Sequence, residues 1–256
     1  MKKKILSLCL VVALAATAVI GGTLAYFSDT DAQKNTFTTG NVAIDLWEDF
    51  GDNDENGIEE LIPAVIIEDG ESTIVKNSIE KEVYVENTGS EDAYVRVHIA
   101  IPSILDGGDT VFSENKEALH VVHTDGAWNW TTGADEDDTL NQYKTIIDGI
   151  SYNVYVVTYE TRLTSGNQTV DAINQVYLDP KVTNDDITRI KTTLRNEWYI
   201  YVVAEGTQAE GFTDAYDALN TAFGDPATDE GKVTEDEFKA AYENKKWVNT
   251  EASVNP

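Results

Sequence analysis

The sequence predicts an antiparallel two-layer β-sandwich. Five segments alternate apolar and polar residues, turn-forming residues separate them, and helical periodicity is confined to two stretches near the C-terminus. The predicted strands cover 38–47, 78–87, 94–101, 149–163 and 198–205. We expect few and short peripheral helices, so the predicted fold class is mainly β.

The first three strands carry the clearest alternation. In 94–101, four apolar residues point to one face, and Arg96 and His98 point to the opposite, polar face. The expected core residues of these strands are Val42, Ile44, Leu46, Ile79, Val83, Val85, Val95, Val97, Ile99 and Ile101. Asn87-Thr88-Gly89-Ser90 predicts a turn between the second and third strands.

Two helices are predicted near the C-terminus. An apolar stripe at helical spacing predicts a helix over 213–223, and a capping box of Thr234 and Glu237 begins a second helix over 234–246. The stripes consist of Phe212, Tyr216, Leu219 and Phe223, then of Phe238, Ala241 and Tyr242. Residues 131–141 read as an exposed insertion, and 225–256 as a helical extension.

The N-terminus has the pattern of a secretory signal peptide. Three lysines precede an apolar run over 5–20, two glycines follow, and Thr23-Leu24-Ala25 offers a cleavage site before Tyr26. The alternative is a membrane anchor, but the run is shorter than the roughly 20 residues that a spanning helix needs. Cleavage would leave one domain over 26–256, 231 residues long, and would lower the net charge from −28 to −31.

Two strings carry a resemblance to a known family. GGTLAYFSDTDAQKNTFTTGNVAIDL, residues 21–46, and IEKEVYVENTGS, residues 79–90, resemble the TasA/camelysin family. The resemblance implies processing by a SipW-type signal peptidase, with membrane contact only during export. It also implies a jelly-roll-like sandwich and a place at the cell surface or in the extracellular matrix, where TasA-type members form biofilm fibres with other matrix proteins.

The mature N-terminus suggests a way to assemble. Residues 26–37 form a short polar arm that leads into the first strand, and an extended arm can add to the open sheet edge of another copy. Tyr26 and Phe27 would be its apolar anchors, with Asp29 and Phe37 also in the arm. Head-to-tail contacts of this kind do not close, so they produce filaments. We expect the chain itself to be the main partner.

Catalytic motifs are weak in this sequence. The three histidines, His98, His120 and His123, do not form His-Glu-x-x-His, and Gly-x-Ser-x-Gly is absent. Cys9, the only cysteine, lies in the predicted signal. We therefore expect no enzyme and no required cofactor. A camelysin-like secreted metalloprotease stays as an alternative, in which a chelator, His98→Ala or His120→Ala would abolish casein cleavage.

An acidic loop is a candidate calcium site. It matches the first half of an EF-hand loop, although Pro63 stands where the bidentate glutamate is expected. The candidate ligands are Asp52, Asp54, Asn56, the carbonyl of Ile58, and Glu60. A solvated acidic turn explains the same residues. A monomeric calcium-dependent surface-binding module is thus a third function, and the acidic charge argues against nucleic-acid partners.

Overall fold

A computed structural model describes residues 28–30, 41–49, 61–70, 72–106, 117–123, 126–131, 140–196, 198–244 and 246–247. The strands in these residues are β1 (Ser28–Thr30), β2 (Ile44–Asp49), β3 (Val65–Asp69), β4 (Ser72–Lys76), β5 (Ile79–Asn87), β6 (Ala93–Pro102), β7 (Leu119–Val122), β8 (Trp128–Asn129), β9 (Gln142–Ile147), β10 (Ile150–Leu163), β11 (Ile173–Leu178), β12 (Tyr201–Gln208) and β13 (Lys246–Trp247). The helices are α1 (Asn184–Thr193), α2 (Ala215–Phe223) and α3 (Glu235–Asn244).

Two sheets form the body of the molecule. The first runs β1-β12-β6-β10-β8, with β9 also paired to β10, and the second runs β13-β2-β5-β11-β7. Strand pairs are antiparallel except that of β13 with β2. The predicted mainly β, antiparallel architecture is confirmed, and a jelly-roll connection stays a prediction.

The main core lies between the two sheets, as the alternation of apolar and polar residues in the sequence predicts. The expected core residues of β2, β5 and β6 are buried, apart from Ile79, which is half-buried and packs at the margin. β10, β11 and β12 add Val157, Ile173, Val202 and Ala204. Each fully buried aliphatic side chain contributes about 1.5–3 kcal/mol, so this layer supplies most of the driving force.

The outer face of the first sheet is covered as well. α3 places Phe238 and Ala241 against Tyr201 and Val203 of β12. α2 packs Ala215, Ala218 and Leu219 against Tyr94. The predicted apolar stripe of α2 is therefore correct in position, but Leu219 and two alanines are its buried members, and Phe212 and Phe223 are only partly buried. The two helices form a third layer.

Several element boundaries differ from the expected ones. β12 begins three residues later than the predicted strand over 198–205, and α3 ends two residues before its predicted end. The capping box is confirmed, because the Thr234 N–H donates to Glu237 Oε2 over 2.7 Å. Of the predicted insertion over 131–141, residues 132–139 lie outside the described part, and Asn141 is buried.

A separate hairpin was not expected from the sequence. β3 and β4 pair only with each other among the described strands, and a parallel bridge from Pro63 to Leu178 connects their base to the second sheet. Val65, Ile66 and Ile74 are 42–50% exposed. The hairpin thus presents β-branched side chains to solvent.

Candidate functional site

The N-terminal arm meets the edge of the first sheet. β1 pairs antiparallel with β12, with Ser28 opposite Thr207, Asp29 opposite Gly206, and Thr30 opposite Glu205. Without β1, the backbone groups along this side of β12 would form an open edge. The other arm residues singled out in the sequence, Tyr26, Phe27 and Phe37, lie outside the described residues.

The β12 edge is closely packed against the second sheet. A Cβ atom on Gly206 would lie 2.8 Å from Cγ2 of Ile44, which is closer than ordinary van der Waals contact. Glycine therefore permits β12 to approach β2 at the position opposite Asp29. The strand that receives the arm is held by the main core beneath it.

A turn fixes the chain where the arm ends. The Asn41 N–H donates to Ser90 Oγ over 3.1 Å, and the Ser90 N–H donates to the Asn41 carbonyl over 2.8 Å. The Thr88 and Gly89 N–H groups both donate to the Ala43 carbonyl. We call Asn87-Thr88-Gly89-Ser90 the clamp turn. It holds residues 41–43, so the base of the arm is fixed independently of β1.

The Asn87 side chain holds the clamp turn itself. This fully buried amide donates through Nδ2 to the carbonyls of Leu163 (2.9 Å) and Glu91 (2.8 Å). Its Oδ1 accepts from the Gly89 N–H over 3.0 Å. Three partners satisfy a buried amide that would otherwise be costly to desolvate. The clamp turn is one of the strings that carried the family resemblance, and this is what its asparagine does.

A buried charged network lies on the outer face of the first sheet. The Arg96 guanidinium donates through Nε to Glu205 Oε2 (2.5 Å), and His98 Nε2 lies 3.2 Å from the same oxygen. Arg96 also donates to Asn220 Oδ1 (2.9 Å) and to the Gly224 carbonyl (3.1 Å). The network therefore connects β6, β12 and the C-terminal end of α2.

The polar face predicted for two of these residues is buried in the structure. Arg96 and His98 point away from the main core as expected, but they are 2% and 0% exposed. β12 lies beside β6, and the helical layer lies over both, so what reads as a polar face is an interior. Sequence reasoning missed Glu205, whose signal is a lone acid inside the apolar run of β12.

Hydrogen bonding assigns the tautomer of His98. Tyr143 accepts from the Val233 N–H over 3.0 Å, and its hydroxyl lies 3.1 Å from His98 Nδ1. The Tyr143 hydroxyl then donates to Nδ1, so the ring proton sits on Nε2 and points to Glu205. Burial lowers the pKa of His98 and outweighs the attraction of Glu205, so the ring is neutral at pH 7.

Glu205 is ionised within this network. Burial opposes its ionisation, but the hydrogen bonds from His98 and Arg96 and the positive charge of Arg96 outweigh burial and hold the pKa of Glu205 below its ordinary value. With a neutral His98, the Arg96 guanidinium supplies the charge. Burial also raises the pKa of the Tyr143 hydroxyl, which therefore remains a donor.

The other two histidines lie elsewhere. His120 in β7 stacks on Tyr177 at 4.8 Å and places Nε2 2.9 Å from Asp179 Oδ2. His123 packs against Trp130 at 4.9 Å. His98 belongs to the first sheet and His120 to the second, so the fold does not bring these two rings together.

Two sequence-predicted sites remain predictions. The cleavage-site residues Thr23, Leu24, Ala25 and Tyr26 lie outside the described residues. So do the candidate calcium ligands Asp52, Asp54, Asn56, Ile58 and Glu60. Among the residues that the structure does describe, no helix is long and apolar enough to span a membrane.

A comparison with protein-family models bears on identity. Residues 1–94 match the family model described as camelysin metallo-endopeptidase. Over these residues, which are about a third of the chain, the sequence is similar to the camelysin family. The match includes the arm, β1 to β5 and the clamp turn, and it confirms the resemblance seen in the sequence. No curated protein shows a significant match to the chain.

The description of the camelysin family raises the question of a metal. Within the described part of the chain, no group of three or more histidine, cysteine, aspartate or glutamate side chains is arranged to hold a metal ion. Both ring nitrogens of His98 are engaged by Tyr143 and Glu205, and His120 is held by Asp179. These residues do not fit a catalytic zinc site, which needs about three convergent protein ligands.

Proposed function

We propose that this protein, which is similar to the camelysin family over residues 1–94, is an exported structural protein of the extracellular matrix, and that its copies assemble head to tail by strand addition. The observation that carries the proposal is the pairing of β1 with the edge of β12. The arm supplies an edge strand through main-chain hydrogen bonds, and the same arm of another copy presents the same groups.

The short length of β1 favours exchange between copies. It has three residues, so few hydrogen bonds hold it to β12, and each contributes only about 0.5–1.5 kcal/mol net. The clamp turn fixes residues 41–43, which leaves the arm upstream of a firm base. A copy whose arm pairs with a neighbouring copy keeps its own fold. Its β12 edge is then open for the arm of a third copy.

The exposed β3–β4 hairpin gives separate support for contact with other subunits or proteins. Two-stranded hairpins are marginally stable alone, and β3–β4 carries apolar side chains on both of its faces. Contact with neighbouring subunits or other matrix proteins would cover them.

We infer export from the signal-like segment, and we propose that a SipW-type peptidase produces a mature chain beginning at Tyr26, which N-terminal sequencing of the secreted form would check.

A cysteine-trapping experiment tests strand exchange, because the predicted mature chain has no cysteine of its own. In mature protein carrying both Ser28→Cys and Thr207→Cys, oxidation joins directly opposed positions. Exchange between copies gives a ladder of covalent multimers on a non-reducing gel. Pairing within one copy gives a monomer band. Electron microscopy of the same sample should show filaments.

Two controls complete the test. A chain with Ser28→Cys and Thr193→Cys places the second thiol at the exposed end of α1, beside the far end of β12, and should give no ladder. Deletion of residues 26–37 should abolish filaments and leave a folded monomer. If full-length mature protein gives only the monomer band and stays monomeric across pH, salt and calcium, strand exchange is not its mode of assembly.

A further inference from the structure

A cleft lined with tyrosines lies at the other end of β12 from the β1 pairing. It is enclosed by the β9–β10 turn, the end of α1 and the first residues of β12, and its volume is about 330 Å³. Its lining includes Ile147, Tyr152, Leu194, Arg195, Tyr199 and Tyr201. We call it the tyrosine cleft. Its volume is at the lower end of the range for small-molecule sites, about 300–1,000 Å³.

The aromatic lining is rigid. Tyr152 and Tyr201 are buried and meet edge to face at 5.5 Å, and Tyr199 packs on Tyr201 at 5.8 Å. Tyr242 of α3 packs against Tyr199 from the far side at 4.4 Å. Because the helical layer holds these rings, the cleft is formed in advance and can accept a flat or ring-shaped ligand without rearrangement.

Arg195 lies at the mouth of the cleft in an unusual backbone conformation. It follows the last turn of α1 with φ of 57°, in the left-handed region where glycine is strongly favoured and a long side chain costs energy. Asn196 follows with φ of 63°, and its N–H closes the helix on the Lys191 carbonyl over 2.7 Å. Helix termination alone would be better served by glycine at position 195.

The charge of Arg195 is available to a ligand. Within the part of the chain that the structure describes, its guanidinium makes no hydrogen bond or ion pair, and its Nη2 lies above Gly149 in the facing turn. Asp148, an acid that also lines the cleft, is paired with Lys239, and the Asp148 N–H donates to Glu235. Arg195 is therefore the charged lining residue whose side chain keeps no partner among the residues that the structure describes.

We infer that the tyrosine cleft binds a compact ring that carries a carboxylate. The ring would pack on Tyr199, the lining tyrosine that is only partly buried, and the carboxylate would accept paired hydrogen bonds from the Arg195 guanidinium, the geometry that arginine favours. Uronic acid sugars and aromatic acids share this chemistry. Asp148 also lines the cleft, but it is paired with Lys239, so the Arg195 guanidinium is the charged group left to meet a carboxylate. The inference does not depend on fibre assembly.

Titration calorimetry on full-length mature protein tests this inference. The probes are glucuronate, 4-hydroxybenzoate and, as the uncharged counterpart, glucose. We expect one or both carboxylated rings to bind roughly tenfold or more tightly than glucose, since the paired hydrogen bonds are lost with the carboxylate. The comparison of glucuronate with 4-hydroxybenzoate distinguishes the sugar from the aromatic acid.

Arg195→Gly separates binding from folding. Glycine relieves the left-handed backbone, so the melting temperature should be equal to or above that of the wild type, while the preference for carboxylated rings disappears. Asn196→Gly is the matched control, because it relaxes the next left-handed residue without touching the cleft and should keep full binding. Failure of both carboxylated rings to bind, or unchanged preference in Arg195→Gly, would overturn the inference.

Discussion

Arg96 and His98 place two ionisable groups inside the protein within hydrogen-bonding distance of one carboxylate, that of Glu205. Such a cluster is stable only while each member keeps its partners. Removal of one member of a buried ion pair typically costs about 3–5 kcal/mol, because the other charge is left uncompensated. The network therefore holds the helical layer to the first sheet only over a limited range of pH.

His98 should make the protein less stable in acid. Burial holds its pKa below the ordinary 6.5, so below that pH the unfolded chain binds a proton that the folded chain does not. The free energy of unfolding should then decrease as the pH falls from about 6.5 towards 5. The groups around the ring are Arg96, Glu205, Tyr143 and Glu237. Glu205, with its lowered pKa, adds a loss of stability only below about 4.5, its ordinary value.

Urea unfolding at pH 7 and pH 5 measures this effect. His98→Gln keeps hydrogen-bonding capacity but cannot titrate, so its free energy of unfolding should change less between the two pH values than that of the wild type. Circular dichroism should establish that the variant is folded at pH 7 before the comparison. An equal pH dependence in both proteins would show that His98 does not control it.

Alternation in the sequence predicted the direction of these side chains and not their burial. Arg96 and His98 alternate with valines and isoleucines, and this pattern places them opposite the main core. Their partner Glu205 lies 109 residues from Arg96, and Asn220 lies 124 residues away. No local pattern reports such distant contacts, so an interior of this kind is visible only after the strands and helices are assembled.

The clamp turn shows how a short element can fix a distant one. A Cβ atom on Gly89 would lie 2.2 Å from the Asn41 carbonyl oxygen and 2.6 Å from the Ala43 nitrogen. These are backbone atoms that cannot rotate away. Gly89→Ala should therefore separate the turn from residues 41–43 and lower the free energy of unfolding by about 3 kcal/mol, at the upper end of usual single-site effects.

Gly70→Ala is the comparison for the clamp turn. Gly70 is left-handed with φ of 68°, but nothing lies within 4 Å of an added Cβ, so the cost is backbone strain of about 1–2 kcal/mol. Urea unfolding of both variants compares the two losses. A loss for Gly89→Ala no larger than that for Gly70→Ala would mean that the clamp turn yields to the extra carbon.

At the level of elements, the sequence predicted long strands better than short ones. β5, β6 and β10 carry nine or more residues of alternating pattern, and they were found close to their predicted bounds. β7 and β8 have four and two residues, which are too few to show the two-residue alternation of a strand. The sequence did not predict the β3–β4 hairpin. Its apolar residues lie on both faces and are exposed to solvent, so apolar and polar residues do not alternate there as they do in a half-buried strand.

At the scale of the whole molecule, apolar burial stabilises the fold and the net negative charge opposes it. Two sheets and a helical layer supply burial, while 46 acidic residues against 18 basic ones impose self-repulsion. Removal of the predicted signal raises the imbalance, because that segment carries three lysines and no acid. An acidic chain of this type should be sensitive to divalent cations, whether they bind at one loop or screen the surface.

Calcium should stabilise the mature protein more than sodium does at matched ionic strength. If Asp52, Asp54, Asn56, Ile58 and Glu60 form a site of millimolar affinity, calcium at ten times the dissociation constant adds about RT ln 11, roughly 1.4 kcal/mol. Thermal melting of Asp52→Ala with Asp54→Ala should then lose the excess response. The control, Glu80→Ala with Glu210→Ala, removes the same charge from exposed positions elsewhere and should keep it. If the loop variant retains the full calcium response, the acidic loop is a solvated turn, and calcium acts by general screening or at another place on the surface.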